Sequence, residues 1–254
     1  MLVPGQSRHG TGVRRTIVGV VNWNRCDLLL DCIGHLESIG HELRDVVVVD
    51  NGSSDGSVVA LTTRYPAVTV LRSDENRGFA WGTNQILKAT EAKTILLLNP
   101  DARPAAGAIT ILNTYLMQNS DVAAVGPVLT DETGRFIACH DKFPNLGTTL
   151  SQLLRRQREP NKHDVPTEAD WIGGSCLMLS SHAVRDVGEF DTSYFMYSEE
   201  LDWCRRARER GWRIICLPNA TAIHFEGGSG TIWRRAQISR SKIDYHSRYS
   251  GPVS

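Results

Sequence analysis

From Thr16 onward, short runs of β-branched and other apolar residues alternate with longer stretches whose apolar positions recur at helical spacing. TIVGVV from Thr16, DVVVVD ending at Asp50, VTVL from Val68 and TILLLN ending at Asn99 read as strands. Asp27 to His41, Ser57 to Tyr65, Phe79 to Ala92 and the stretch after Pro104 read as helices, followed by a strand near Val122 to Val125. The strands are apolar without alternation, as they must be when buried on both faces, so the pattern predicts βαβ units on a parallel sheet covered by helices. The second half is less regular: a glycine-centred WIGGSCLML, a helix from Glu199 to Arg210, and two separate strands, WRIICLP and ATAIHF. Arg155 to Pro166 is polar with two prolines and reads as a mobile loop.

Composition narrows this. At 254 residues with 41% apolar content, the chain fits one α/β domain. Residues 1–14 are expected to form a disordered leader, 15–230 the domain (15–126 a nucleotide-binding half, 127–230 an acceptor half) and 231–254 a basic C-terminal segment. Twenty-eight basic residues balance 28 acidic ones, so no global field draws the chain to nucleic acid, and none is expected as a partner. The six cysteines form no C-x-x-C pair and sit largely in apolar runs, which predicts reduced thiols in a cytoplasmic protein. No stretch approaches the roughly 18 apolar residues of a membrane span.

In an open α/β sheet, ligands bind beyond the carboxyl ends of the strands, so polar residues just after each strand are the first candidates. Four such junctions stand out: VNWNR at 21–25 with Asn22, DNGSSDGS at 50–57, NRGFAWGTN at 76–84, and LLLNPD at 96–101. Any one of them is explained by turns and helix caps; four together are harder to explain so. The first strand is followed by VNWNRCD and no G-x-G-x-x-G, which argues against a nicotinamide-dependent oxidoreductase.

Together with WIGGSCLML, FDTSYFMYSEELDWCRRARERGW and HFEGGS, these junctions resemble the family 2 glycosyltransferases of the GT-A fold, in particular their rhamnosyltransferase-like branch, from about Thr16 to Ser229. The resemblance implies an α/β fold with a Rossmann-like nucleotide-binding half and a mixed central sheet flanked by helices. It also implies an inverting transfer of a sugar from a nucleotide-diphosphate donor, dTDP-L-rhamnose first among candidates, to a hydroxyl of a cell-surface glycan or polyprenyl-linked saccharide. The alternative is a catalytically inactive sugar-nucleotide-binding module.

Under this resemblance Asp50 reads the base, its carboxylate suited to accept from a uracil or thymine imide N–H; an Asx-type turn into Asn51 and Gly52 is compatible with that role. Arg77, before Gly78 at a helix start, would meet the nucleotide with free backbone amides, or else be a solvated arginine. Asn99-Pro100-Asp101 matches the family's metal motif, with Asp101 its charged ligand for Mn²⁺ or Mg²⁺, and His224 stands where a late histidine completes that site and tilts preference toward Mn²⁺. Glu199-Glu200 stands for the family's acidic pair, whose second member is the general base.

Helical spacing puts Glu200, Cys204, Ala207 and Gly211 on one inward face, where desolvation would raise the carboxylate's pKa, while Asp202 is free to pair with Arg205 or Arg206. Glu199 would contact an acceptor hydroxyl or cap the helix. Trp171, Gly173 and Gly174 would form an acceptor wall, or a buried indole beside a β-bulge. The segment TIWRRAQISRSKIDYHSRYSG, with five Lys or Arg, reads as a solvated helix or tail, or as a patch touching anionic lipid or a polyprenyl-diphosphate acceptor.

Overall fold

The computed structural model describes residues 16–137, 140–144, 165–225 and 232–249; the expected leader, most of the 155–166 loop and the glycines after Phe225 lie outside them. Four parallel strands, β1 (Thr16–Asn22), β2 (Val46–Asn51), β3 (Thr69–Ser73) and β4 (Thr94–Leu98), form one side of the main sheet. Helices α1 (Cys26–Ser38), α2 (Ser57–Arg64) and α3 (Phe79–Ala89) connect them. Beyond these lie β5 (Ala102–Pro104), α4 (Ala108–Gln118), β6 (Val122–Thr130) and the short β7 (Phe136–Ile137) and β8 (His140–Asp141). The chain continues through β9 (Thr167–Ala169), β10 (Trp171–Ile172), β11 (Cys176–Ser180), α5 (Ser181–Val187), α6 (Glu199–Glu209), β12 (Arg213–His224) and α7 (Ile232–Tyr249).

The main sheet runs in the order β3-β2-β1-β4-β11-β6-β12-β5 and is mixed. The strand expected near Val122 lies across β11 from β4, and β11 is antiparallel to both. Alternate residues of the same strands feed two cores. Val18, Val20, Val46, Val48, Leu96 and Leu98 pack on one face with Leu29, Ile33, Leu61 and Leu112 of α1, α2 and α4. Val47, Val49, Ile95, Leu97, Leu177 and Leu179 pack on the other with Ile86, Ala183, Trp203, Cys204 and Ala207 of α3, α5 and α6. Dry neighbours above and below are why these strands carry no polar alternation. No helix of the described residues is long and apolar enough to cross a membrane.

Two expectations change. WRIICLP and ATAIHF are one strand: Pro218 lacks the N–H a ladder needs, and the chain answers with a register shift between Leu217 and Thr221 rather than by leaving the sheet. WIGGSCLML divides between two sheets, with β10 paired to β8 and β11 in the main sheet, so Gly173 and Gly174 make the turn between them and not a bulge.

Gly78 fixes how α3 meets the second half. Its φ is +89°, and a Cβ there would overlap the Phe195 carbonyl, which accepts the Phe79 N–H at 2.8 Å. Gly78→Ala is therefore expected to cost at least about 2 kcal/mol and to lower the melting temperature by about 4 °C or more, measured by calorimetry. An unchanged melting temperature would mean the Phe195 strap moves aside freely.

Candidate active site

The β1–β2 register sets Asn22 beside Asp50 at the carboxyl end of the sheet. Both are buried, at 0% and 1% exposure. Asn22 Nδ2 donates to Asp50 Oδ1 at 3.4 Å and to Ser53 Oγ at 3.3 Å, while Asp50 Oδ2 accepts the Ser53 N–H at 3.1 Å. The turn at Asn51-Gly52 is thus held by the Asp50 carboxylate itself. Asn22 Oδ1 remains a buried acceptor without a partner, a condition that costs about 1–3 kcal/mol unless a ligand relieves it.

Asn51, 2% exposed, organises the next junction. Its Oδ1 accepts the Arg77 N–H, and its Nδ2 donates to Asn76 Oδ1 and the Gly78 carbonyl, each at about 3 Å. The Arg77 side chain is half exposed, 3.1 Å from Glu75 and 5.4 Å above the Trp81 ring. The helix start beside it offers fewer free amides than expected, because Phe195 occupies that of Phe79.

Asn99, Pro100 and Asp101 follow β4. The Asn99 N–H donates to the Ser175 carbonyl, and its own carbonyl accepts from Ala102, closing a tight turn. β5 then pairs with the end of β12, setting His224 opposite Ala102, and the Phe225 N–H donates to the Asp101 carbonyl at 2.8 Å. Asp101 Oδ1 and His224 Nε2 consequently stand 3.2 Å apart, yet neither buried atom makes an aligned hydrogen bond. Two donors adjacent on one divalent ion, each about 2.1 Å from it, are about 3 Å apart, so the pair fits a shared cation. Among the described residues no group of three or more His, Cys, Asp or Glu could hold a metal, so this pair could offer an ion two donors at most. That suits an ion completed by substrate phosphate and water.

Arg103 braces this turn in a way the sequence did not announce: its guanidinium donates to the carbonyls of Pro100 (2.6 Å), Ala102 (2.9 Å) and Leu28 (3.2 Å). A cavity of about 310 Å³ opens beside His224, walled by Thr133, Arg135, Phe136 and Ile137 between and along β6 and β7; Asp50 and Glu200 are not on its wall.

The turn that receives Asn99 also reaches the acidic pair. Gly174 donates its N–H to the Glu200 carboxylate, and the Ser175 carbonyl one residue on holds Asn99. The NPD turn and the acidic pair are therefore separated by one short turn of backbone. A Cβ on Gly174 would lie 3.8 Å from that of Glu200 and 3.5 Å from Phe79, ordinary contact, so no protein neighbour demands glycine there. Trp171 is half buried and packs with Phe143 against Tyr194, Leu201 and Tyr245.

α6 begins at Glu199 after two residues with positive φ, Tyr197 (69°) and Ser198 (72°). Cys204 and Ala207 face inward as spaced; Gly211 lies beyond the helix, where its φ of +87° ends it. Glu199 is 4% exposed and Glu200 more open, and the Oε2 of each is buried without a partner. Burial pushes both carboxyls above the ordinary range. Glu199 is raised further by the charge of Glu200, whereas backbone amides, among them those of Gly174 and Leu201, favour the ionised form of Glu200.

Asp202 is wholly buried and accepts from Arg206 at 2.8 Å, the structural partner expected from spacing. It also accepts from Arg248 and Tyr249 of α7, so this helix is docked on the domain. Asn84, inside NRGFAWGTN, turns away from the nucleotide end and holds both backbone groups of Phe190 at 2.8 and 2.9 Å.

A parallel Rossmann-like half, a mixed extension and a paired Asp-His turn beside a buried acidic pair together define a GT-A architecture. The model described as "Glycosyltransferase like family 2" matches residues 14–240, and the chain belongs to that family. Among relatives, it is 28% identical over 210 residues to the N-acetylglucosaminyl-diphospho-decaprenol L-rhamnosyltransferase of Mycobacterium tuberculosis, covering 72% of this chain and 67% of that one. It is 35% identical over 142 residues to the rhamnosyltransferase WbbL of Escherichia coli K12, covering 52% of each. Its fold is similar to the mannosyltransferase PcManGT of Pyrobaculum calidifontis solved with GDP-Man and Mn²⁺ (TM-score 0.68, 18% identity, 92% of this chain and 63% of that one). It is also similar to GalNAc-T7 solved with UDP, GalNAc and Mn²⁺ (TM-score 0.66, 12% identity, 89% and 47%).

Proposed function

We propose that this chain is an inverting, metal-assisted glycosyltransferase that moves a sugar, L-rhamnose from dTDP-L-rhamnose as first choice, onto a hydroxyl of a lipid-linked saccharide or cell-surface glycan. The observation that carries this reading is the pair Asp101 Oδ1 and His224 Nε2, both buried, 3.2 Å apart and without aligned partners, one short turn from the buried acidic pair. The mycobacterial relative, named for L-rhamnosyl transfer to a diphospho-decaprenol sugar, motivates the choice of donor and acceptor.

In this reading Asn22 and Asp50 hold the base, Arg77 and Asn99 line the donor's path, and Asp101 with His224 hold a divalent cation. That cation, when bound, supplies the positive charge that a departing nucleoside diphosphate requires. Glu200 takes the proton of the acceptor hydroxyl as its oxygen attacks the anomeric carbon. Glu199, protonated, donates to an acceptor oxygen, and Trp171, Gly173 and Gly174 border the acceptor. The work takes place at the cytoplasmic face of a membrane if the acceptor is polyprenyl-linked.

The test is nucleoside-diphosphate release from dTDP-, UDP- and GDP-sugars with Mn²⁺, Mg²⁺ or EDTA, using a synthetic N-acetylglucosaminyl-diphospho-polyprenol as acceptor. Metal-dependent release of dTDP that requires the acceptor is the expected result. Donor binding without release under any condition would leave a sugar-nucleotide-binding module.

A further inference from the structure

Neither Glu199 nor Glu200 has a side-chain partner for its Oε2, and Glu200 is steadied only by backbone amides. Where these carboxylates stand is therefore dictated by the backbone of the first turn of α6. That backbone is awkward to hold: Tyr197 and Ser198 are consecutive non-glycine residues at positive φ, each costing about 1–3 kcal/mol and persisting only where the surroundings impose it.

The surroundings come from two sides. From α3, the Phe79 N–H grips the Phe195 carbonyl, and Asn84 grips Phe190. From α7, Ser241 donates to the Met196 carbonyl at 2.7 Å, and Tyr245, 1% exposed, packs on Tyr194 and Leu201. Arg248 Nη1 bridges Asp191 (2.5 Å) and Asp202 (3.0 Å), its guanidinium lying over the Tyr194 ring, and Tyr249 donates its hydroxyl to Asp202 at 2.6 Å. Asp202 in turn donates its N–H to Ser198, the residue before the pair. These contacts tie the C-terminal helix to both ends of the strained segment.

We propose that Arg248 and Tyr249 are positioning residues for the acidic pair: through Asp202 and the 191–196 strap they set the first turn of α6, so turnover depends on a helix outside the sheet. This rests on the glycosyl-transfer reading above. A displacement of about 1 Å at a catalytic group can cost about 100-fold in rate, which is why contacts remote from the chemistry would register in kcat.

The experiment uses the full chain and compares Tyr249→Phe, Arg248→Met and, as a control on the exposed face of α7, Arg240→Ser. Tyr249→Phe keeps the ring that packs on Arg205 and Tyr245 and removes only the hydroxyl. Expected are falls in kcat of about tenfold for Tyr249→Phe and about 100-fold for Arg248→Met, with donor KM within about threefold and Arg240→Ser unchanged. Titration calorimetry with dTDP and Mn²⁺ should still find one site per chain in every variant. A purely structural role would instead lower that stoichiometry in step with kcat, and this result, or wild-type kcat in both variants, overturns the proposal. If the wild-type chain binds no nucleoside diphosphate at all, the glycosyl-transfer reading fails first and takes this one with it.

Discussion

Glu200→Gln is expected to lower kcat by about 1,000-fold while leaving donor affinity within about twofold, because general-base assistance contributes about 10²–10⁴ in rate and the donor is held elsewhere. In the unsubstituted chain, turnover should rise with pH along a limb lying above the ordinary glutamate range of about 4.3, since the base works only when ionised and burial raises its pKa. Glu199→Gln should leave that limb in place, because in the proposed roles Glu199 serves as the protonated partner and a neutral amide imitates it. The same raised values predict a stability effect of opposite sense. Between the unfolded and the raised folded pKa the folded chain binds more protons than the unfolded one, so wild-type stability falls as pH rises through that window. Glu199→Gln should flatten that fall. If instead Glu199→Gln abolishes turnover and Glu200→Gln spares it, the two roles are exchanged.

The order and type of the first-half elements were legible because two cores enforce one rule: a strand covered on both faces must be apolar at every position, and Val46 to Val49 obey it. The position of β6 was not legible, because nothing in VAAVG distinguishes a strand beside β4 from one beyond β11; β11 is equally apolar and takes the intervening place. WRIICLP and ATAIHF read as two strands because no local pattern shows that the sheet absorbs Pro218 as a register shift. At the site, the Asp101–His224 proximity was foreseen only through family likeness, since they stand 123 positions apart in the chain and only the pairing of β5 with β12 unites them. The buttresses were invisible for a different reason. Asn84, Arg103, Arg248 and Tyr249 act on backbone carbonyls, amides or a buried carboxylate supplied by distant segments, and no local spacing encodes such partners. Asp202 is the exception, because its bond to Arg206 is local to one helix.

Asp101→Asn is expected to weaken Mn²⁺-dependent dTDP binding by about 100-fold or more, with affinity in EDTA unchanged. Asparagine keeps the shape of the side chain and cannot disturb the backbone bond from Phe225 to the Asp101 carbonyl, so the NPD turn and the β5–β12 pairing should survive. What it removes is the negative charge, the part of the side chain a hard divalent ion requires. His224→Ala removes the second donor. In the proposed reading both hold one ion, so the double variant should cost little more than the worse single one, the non-additivity expected of groups that work as a unit. The metal-free chain should be unaffected. Asp101 Oδ1 makes no aligned hydrogen bond, so the neutral amide forfeits none there, and the melting temperature in EDTA should hold. A site that loses its ligand without losing stability is one kept for binding. Equal dTDP affinity for wild type and Asp101→Asn in Mn²⁺ would remove Asp101 from the site and leave the His224 contact a structural accident.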